Sequence, residues 1–320
     1  MSVGRYTLRN PQGEGVAIED KGPSEKELWQ QLPQTDGEER AEVLLRLAQQ
    51  ATYRGAGDEA LALAETASEI YQSLGAKAAN ADIANAYTGI SYSLKELHRT
   101  QDAVNVLGKA VDIYRADHYP FVDDLLRTQA IWYGELGDWQ NNLNCHLEAV
   151  RVNEIDGNQE WLAKSLYNVA VAYGQLNNFP EAITTYRRAR DLFKERKAIV
   201  EVARCDESIA GIFTEMKDGA EALVHANRAL DVARTIASDA RIAWCLAIKG
   251  EAHYLLEQWD EANEALSSAL FAARSMYETD WQLIVSIETA QAMLYRATDR
   301  EELAAEIEGR LATVREILGQ

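Results

Sequence analysis

The side chains of this sequence with chemistry to offer are few, and their spacing argues against catalysis. Cys145, Cys205 and Cys245 form no CxxC pair, and an odd number of thiols suits a reducing compartment better than a disulfide framework. Cys205 and Cys245, forty residues apart, read as small buried hydrophobes and not as a redox pair. His146 and His253 have no ligand-type residue nearby and are expected to be packed core side chains with one hydrogen bond each. Gly55 and Gly57 resemble a fragment of a nucleotide loop only in isolation, because they fall where a helix must stop. No GxxxxGK[ST], HExxH or GxSxG pattern occurs. The carboxylates, among them Glu38, Glu39, Glu301, Glu302 and Glu306, fall on helix starts and outward faces. No two of them share an evident apolar pocket at the ~5–9 Å spacing of a catalytic pair. The expectation is no enzyme, no cofactor and no metal site.

Composition narrows the class further. The chain has 320 residues, a formal net charge of −19 and 47% hydrophobic residues, with only 19 Gly and 5 Pro. That excludes collagen-like and disordered polymers. So acidic a surface repels phosphate backbones, so no direct nucleic-acid partner is expected. No stretch approaches the ~18 continuous apolar residues of a membrane span, and nothing near Met1 reads as an export signal, so a cytoplasmic location without membrane contact is expected. The length fits about two domains, or one elongated repeat array.

An internal register decides between those two. Alanine stands at 67, 110, 149, 189, 229 and 269, at intervals of 43, 39, 40, 40 and 40. Seven residues before each stand Ala60, Ala103, Asn142, Ala182, Ala222 and Ala262, and twelve before those Ala48, Ser91, Ala130, Ala170, Ala210 and Gly250. Large groups recur between them, including Tyr133, Tyr173 and Phe213, then Trp139, Phe179 and Trp259. Small residues at fixed places let two antiparallel helices approach closely, and the aromatic groups fill the space left over.

The clearest unit runs from Leu166 through Ala170, Tyr173, Phe179 and Ala182 to Ala189. This pattern resembles the tetratricopeptide repeat (TPR), lengthened from ~34 to 40 residues. Similar long units occur in kinesin light chains and in bacterial Rap-type peptide receptors. The resemblance covers about residues 36–318 and implies an all-α, right-handed α-solenoid of about seven helix pairs. The six extra residues amount to about one and a half turns and are assigned chiefly to the second helix of each pair. Asn142, Asp206 and Gly219 depart from the pattern: Asp206 replaces a leucine found at 44, 126, 166 and 246, and Gly219 an aromatic residue.

Helix starts are marked by Asp58, Asp138, Asn178 and Asp218 as caps, and by Thr35 with Glu38 and Asp299 with Glu302 as capping boxes. Glu302, Glu306 and Gly309 give the last helix the polar outer face of a terminal cap. Residues 1–35 lie outside the repeat and hold three of the five prolines. There Arg5–Arg9 and Val16–Ile18 form a candidate hairpin around Asn10–Gly13, with disorder as the alternative. Ser24 with Glu27 offers a capping box, and Leu28 and Trp29 would anchor a short helix on the first repeat.

In TPR architecture the first helices of successive units line a concave groove. The resemblance therefore implies lining residues Asn85, Thr88, Tyr92, Asp124, Arg127, Lys164, Tyr167, Asn168, Val171, Arg204, Glu207, Ser208, Trp244, Glu251 and Tyr254. Lys164, Arg204, Asn168 and Arg127 form a cationic cluster on an acidic chain, similar in part to the carboxylate clamps of chaperone-binding TPR domains. It would bind an acidic or C-terminal carboxylate segment of a protein or peptide partner, with Asn168 on the backbone and Tyr167, Trp244 and Tyr254 as flat anchors. The alternative is that Lys164 and Arg204 merely pair with Glu160, Glu201 or Glu207 on solvated surface. Two functions stay open: a non-enzymatic adaptor or assembly module, and a peptide-responsive regulator of the Rap-like class. With only 35 residues ahead of the array, the sequence favours the first. A third, an oligomeric scaffold built through the N-terminal segment, follows if the hairpin pairs between chains.

Overall fold

A computed structural model describes the backbone of residues 5–9 and 15–19 and the chain over 23–75, 80–116, 122–276 and 280–318. Strands β1 (Arg5–Arg9) and β2 (Gly15–Glu19) pair antiparallel, with Arg5 opposite Glu19 and Thr7 opposite Ala17. The turn expected at Asn10–Gly13 lies outside the described residues. Helix α1 (Glu25–Gln31) starts on a complete capping box: the Ser24 backbone N–H donates to the Glu27 carboxylate at 2.7 Å and the Glu27 N–H to Ser24 Oγ at 3.4 Å. Leu28 is fully buried, whereas Trp29 is 43% exposed, so only the first of the two expected anchors packs.

Seven helix pairs follow: α2 (Gly37–Tyr53) with α3 (Gly57–Leu74), α4 (Asn80–Glu96) with α5 (Thr100–Ala116), and α6 (Val122–Glu135) with α7 (Trp139–Ile155). They continue as α8 (Gln159–Gln175) with α9 (Phe179–Glu195), α10 (Ile199–Glu215) with α11 (Gly219–Thr235), α12 (Asp239–Leu255) with α13 (Trp259–Arg274), and α14 (Trp281–Ala297) with α15 (Glu301–Leu318). Two compact units result, Met1–Val152 and Asn153–Gln320, the division falling inside α7.

From α8 to α12 every helix has 17 residues and every turn three. The lengthening of the repeat is therefore shared equally by both helices, not carried by the second. At 1.5 Å per residue each helix is about 25 Å long. All the register alanines are fully buried, Ala67, Ala110, Ala149, Ala189, Ala229 and Ala269 among them. They are the contact points at which helix axes approach to about 8–10 Å. Where the register breaks, the replacement has its own contact. Asn142 is buried and donates from Nδ2 to the carbonyl of Ala130 at 2.7 Å. A Cβ on Gly219 would stand 2.7 Å from the Ala252 carbonyl oxygen and 2.9 Å from Leu256 Cγ. The chain of the next helix fills the space of the expected aromatic ring.

Cap chemistry is partly as expected. Asp138 accepts from the Asn141 N–H and Asp218 from the Glu221 N–H, each at 3.1 Å. Asn178 stands at the N-cap without making the bond, and Asp58 lies inside the first turn, paired with Arg99 at 2.7 Å. The Thr35 box is absent: α2 starts after Asp36, and the Thr35 hydroxyl donates back to the Leu32 carbonyl. Asp299 adopts φ +57°, the left-handed turn before α15, which takes its side chain off the capping position. Glu302, Glu306 and Gly309 are exposed, as the terminal-cap reading expects.

Candidate functional site

In the first unit the face shared by α4 and α6 is already satisfied. Asn85 Oδ1 accepts from the Tyr114 hydroxyl at 2.7 Å. Tyr92 meets Trp132 edge-on, with ring centroids 5.4 Å apart, and its hydroxyl lies 3.5 Å from Thr128 Oγ1. Arg127 is held by Asp123 at 2.7 Å and by Asp124, so its charge is neutralised on its own helix. It contributes no open cationic site.

In the second unit α8, α10, α12 and α14 form one face, joined by side chains that reach from helix to helix. Lys164 donates to Glu160 at 2.8 Å and sits 4.1 Å above the Trp161 ring; Glu160 also takes Arg196 at 2.8 Å. Lys164 thus has the Glu160 partner named by the surface-pairing alternative, whereas Arg204 forms a salt bridge with neither Glu201 nor Glu207. That guanidinium lies over the Tyr167 ring, its Cζ 4.8 Å from the centroid, exposed, and makes no salt bridge among the described residues. Tyr167 is itself fixed, its hydroxyl 3.2 Å from Ser208 Oγ and its ring edge-on to Tyr186 at 5.3 Å. Beside it on α8, half-buried Asn168 has no hydrogen-bond partner among the described residues. Glu207 is taken by Arg241 through two bonds of 2.9 and 2.8 Å and feels Arg204 only as a nearby charge, without a salt bridge to it. Burial still pushes its carboxyl up, against the pull of Arg241. Trp244 leaves 48% of its surface to solvent.

Further along the same face a cavity of about 350 Å³ opens between α10, α12 and α14. Its wall is mostly apolar, from Leu255, Leu266, Ala290 and Met293, with Tyr254 held edge-on by Trp259 at 5.6 Å. Glu251 projects into it, half-buried, with no hydrogen bond or salt bridge among the described residues. Burial pushes its carboxyl above the usual range, and the Lys217 ammonium at the cavity edge works the other way. Sequence reasoning named Glu251 and Tyr254 but not Lys217 or Met293. The signal was available: α12 and α14 start 42 residues apart, so the groove positions carried one unit further land on Ser286 and Met293.

The three thiols are buried, and burial pushes each to about 12, which leaves them unreactive at neutral pH. Buried His146 has no hydrogen-bond partner at Nδ1; burial first, then Arg127, lowers its pKa to about 4. His253 is half-buried, not core, and its Nδ1 meets Gln258 Oε1 at 2.6 Å. Among the described residues no three His, Cys, Asp or Glu side chains converge on a metal-sized site, and no helix is long and apolar enough to cross a membrane.

Residues 122–195 match the family model of the tetratricopeptide repeat. No curated protein sequence matches the chain. Among solved structures the fold resembles BtubC (BKLC) from P. vanneervenii, at TM-score 0.58 and 17% identity over 69% of this chain and 92% of that one. It also resembles NprR in complex with its cognate peptide NprX, at TM-score 0.53 and 18% identity over 88% and 80% of the two chains. A third similar structure is aspartyl phosphate phosphatase F from Bacillus subtilis, at TM-score 0.52 and 14% identity over 92% and 76%. The all-α array of helix pairs is the architecture these structures share.

Proposed function

We propose that this array of tetratricopeptide-type helix pairs is a non-enzymatic binding module, which holds a polypeptide segment of a partner protein along the face of α8, α10, α12 and α14 in an adaptor or assembly role. The observation that carries the reading is Arg204. An arginine held over a tyrosine ring has already lost much of its rotamer freedom, and its N–H donors make no salt bridge among the described residues. A partner carboxylate meeting it forms a charge-assisted, bidentate pair contributing about 1.5–3 kcal/mol. Asn168, one turn from Lys164 on the same helix, offers a donor and an acceptor to an extended backbone. Trp244 and Tyr254 supply flat apolar anchors. On this reading the acidic or C-terminal carboxylate segment of the partner meets the α8–α10 end of the face.

The test is selection of peptides from a display library by the wild-type protein, followed by affinity measurement by fluorescence anisotropy. Arg204→Glu is expected to weaken the selected peptide by more than tenfold, and Asn168→Ala by about tenfold. Lys164→Glu is expected to change it less than threefold, because Glu160 already occupies that ammonium. Equal binding by Arg204→Glu with unchanged helicity would reduce the cluster to solvated surface.

A second reading, a peptide-responsive regulator, is favoured by the likeness to NprR, which was solved with its cognate peptide. It uses the same face and differs in requiring a peptide-driven change of shape. Small-angle scattering with and without the selected peptide separates the two: the adaptor reading expects an unchanged radius of gyration, the regulator reading a smaller one.

A further inference from the structure

Glu251 stands in the α10–α12–α14 cavity among threonine oxygens, with the Lys217 ammonium and the Tyr254 and Ser286 hydroxyls also at its wall. Thr214 Oγ1 donates its proton to the Gly211 carbonyl at 2.6 Å, and Thr289 Oγ1 donates to the Val285 carbonyl at 2.7 Å. Both hydroxyls line the cavity with their protons already committed to their own helices, which leaves lone pairs as what they present. Glu251, when ionised, is acceptor only. A mostly apolar wall and one carboxylate that makes no hydrogen bond or salt bridge among the described residues, with only the exposed Lys217 ammonium acting on it, suit an apolar stem that ends in several N–H donors.

We propose that this cavity receives a lysine or arginine side chain of the bound polypeptide, its cationic head on Glu251 and its methylene stem against Leu255, Leu266, Ala290 and Met293. The proposal rests on the reading that this face holds a polypeptide, and it gives that polypeptide a direction: carboxylate toward Arg204, cation toward α14. An anionic occupant is disfavoured, since it would face Glu251 at short range, while Lys217, the cation among the described residues that lines the cavity, is exposed on the turn and keeps its own hydration. A purely apolar occupant would leave the carboxylate buried without a partner, a cost the cavity already bears when empty. The volume of about 350 Å³ accommodates one long side chain and part of its backbone.

The chain has four methionines, and Met293 is in the cavity wall, so its ε-methyl is a local reporter in the full-length protein labelled with ¹³C-methyl methionine. Titration with Nα-acetyl-lysine methylamide is expected to shift the Met293 methyl saturably, while the norleucine isostere, lacking the ammonium, binds at least tenfold more weakly. Glu251→Gln is expected to bring the lysine probe down to the norleucine level, with the Met216 methyl and the helicity unchanged as evidence of folding. Lys217→Met is expected to strengthen the lysine probe two- to threefold by removing a competing ammonium. Equal response to both probes, an unmoved Met293 methyl, or full lysine affinity in Glu251→Gln overturns the proposal. Weakened peptide binding by Arg204→Glu together with an inert lysine probe would retire the cation pocket and leave the groove. A lysine-dependent shift with no library peptide selected would do the reverse.

Discussion

Asp206 shows how a single residue that breaks a repeat is made tolerable. It stands where four sister repeats have leucine, is 5% exposed, and accepts from Arg190 at 3.0 Å and from His225 Nδ1 at 2.6 Å, whose ring stacks on Phe213. Burial pushes its carboxyl up, but the hydrogen bonds from His225 and Arg190 outweigh it and hold the pKa below the usual carboxylate range. A depressed folded pKa contributes stability that is present above the unfolded value of about 3.9 and lost as pH falls through the folded one. Asp206→Asn is therefore expected to lower stability at pH 7 by about 3 kcal/mol in urea unfolding, with the difference vanishing at acid pH. Replacing all of Asp206, Arg190 and His225 by leucine should recover most of that loss, because then no charge is left buried alone. Recovery no better than in the single variant would mean that the network does more than satisfy itself. Glu251 has the opposite sign. Its folded pKa is raised, so it costs stability above about pH 4.3, and Glu251→Gln should be more stable than the parent only on that side. The sequence announced Asp206 as a departure and placed Glu251 on the groove. Which carboxylate has partners was not legible, because His225 and Arg190 come from helices that only the fold brings alongside.

At the scale of elements the three-residue turn is the recurring device. Positions 137, 157, 177, 197, 217, 237 and 257 all have positive φ, between 52° and 73°, although only the first two are glycine. In each the next N–H reaches back five residues, as from Ala198 to the Phe193 carbonyl at 2.9 Å and from Asp218 to that of Phe213 at 2.8 Å, which closes the helix end in a Schellman-type turn. Packing of the helix pair, not residue type, sets this conformation. The left-handed region costs an alanine about 1–2 kcal/mol, more than the unfolded-state entropy a glycine adds back. Ala237→Gly, on an exposed methyl, is thus expected to raise stability by about 0.5–1 kcal/mol, read from the urea midpoint at constant slope. Gly219→Ala, whose added carbon meets a backbone oxygen at 2.7 Å, is expected to lower it by about 2 kcal/mol despite alanine's better helix propensity. The alanine register made the helix pairs legible from sequence. The equal 17-residue helices were not, because no glycine marks the turn at Asn177, Lys197, Lys217, Ala237 or Glu257.

At the scale of the whole molecule the charge of −19 acts on every approaching partner before any contact forms. Arg204 and Glu251 respond to that field with opposite sign. A carboxylate bound for Arg204 must cross a repulsive potential that extends about 30 Å at 10 mM salt and about 8 Å at 150 mM. A lysine bound for Glu251 is drawn in by the same potential. Added salt screens the long-range field first, while the stacked Arg204 and the half-buried Glu251 keep their local interactions. Stopped-flow association of a library peptide carrying only the acidic end should therefore accelerate, by roughly threefold, from 10 to 150 mM NaCl. A peptide carrying only the lysine end should slow by a similar factor. Net charge was readable from composition, but this opposition follows only from the structure, in which Arg204 and Glu251 make no salt bridge among the described residues while Arg127, Lys164 and Arg241 are paired at home. If the acidic peptide also slows with salt, the local field of Arg204 extends further than one guanidinium in an acidic surface can reach, and a broader cationic surface must guide the partner in.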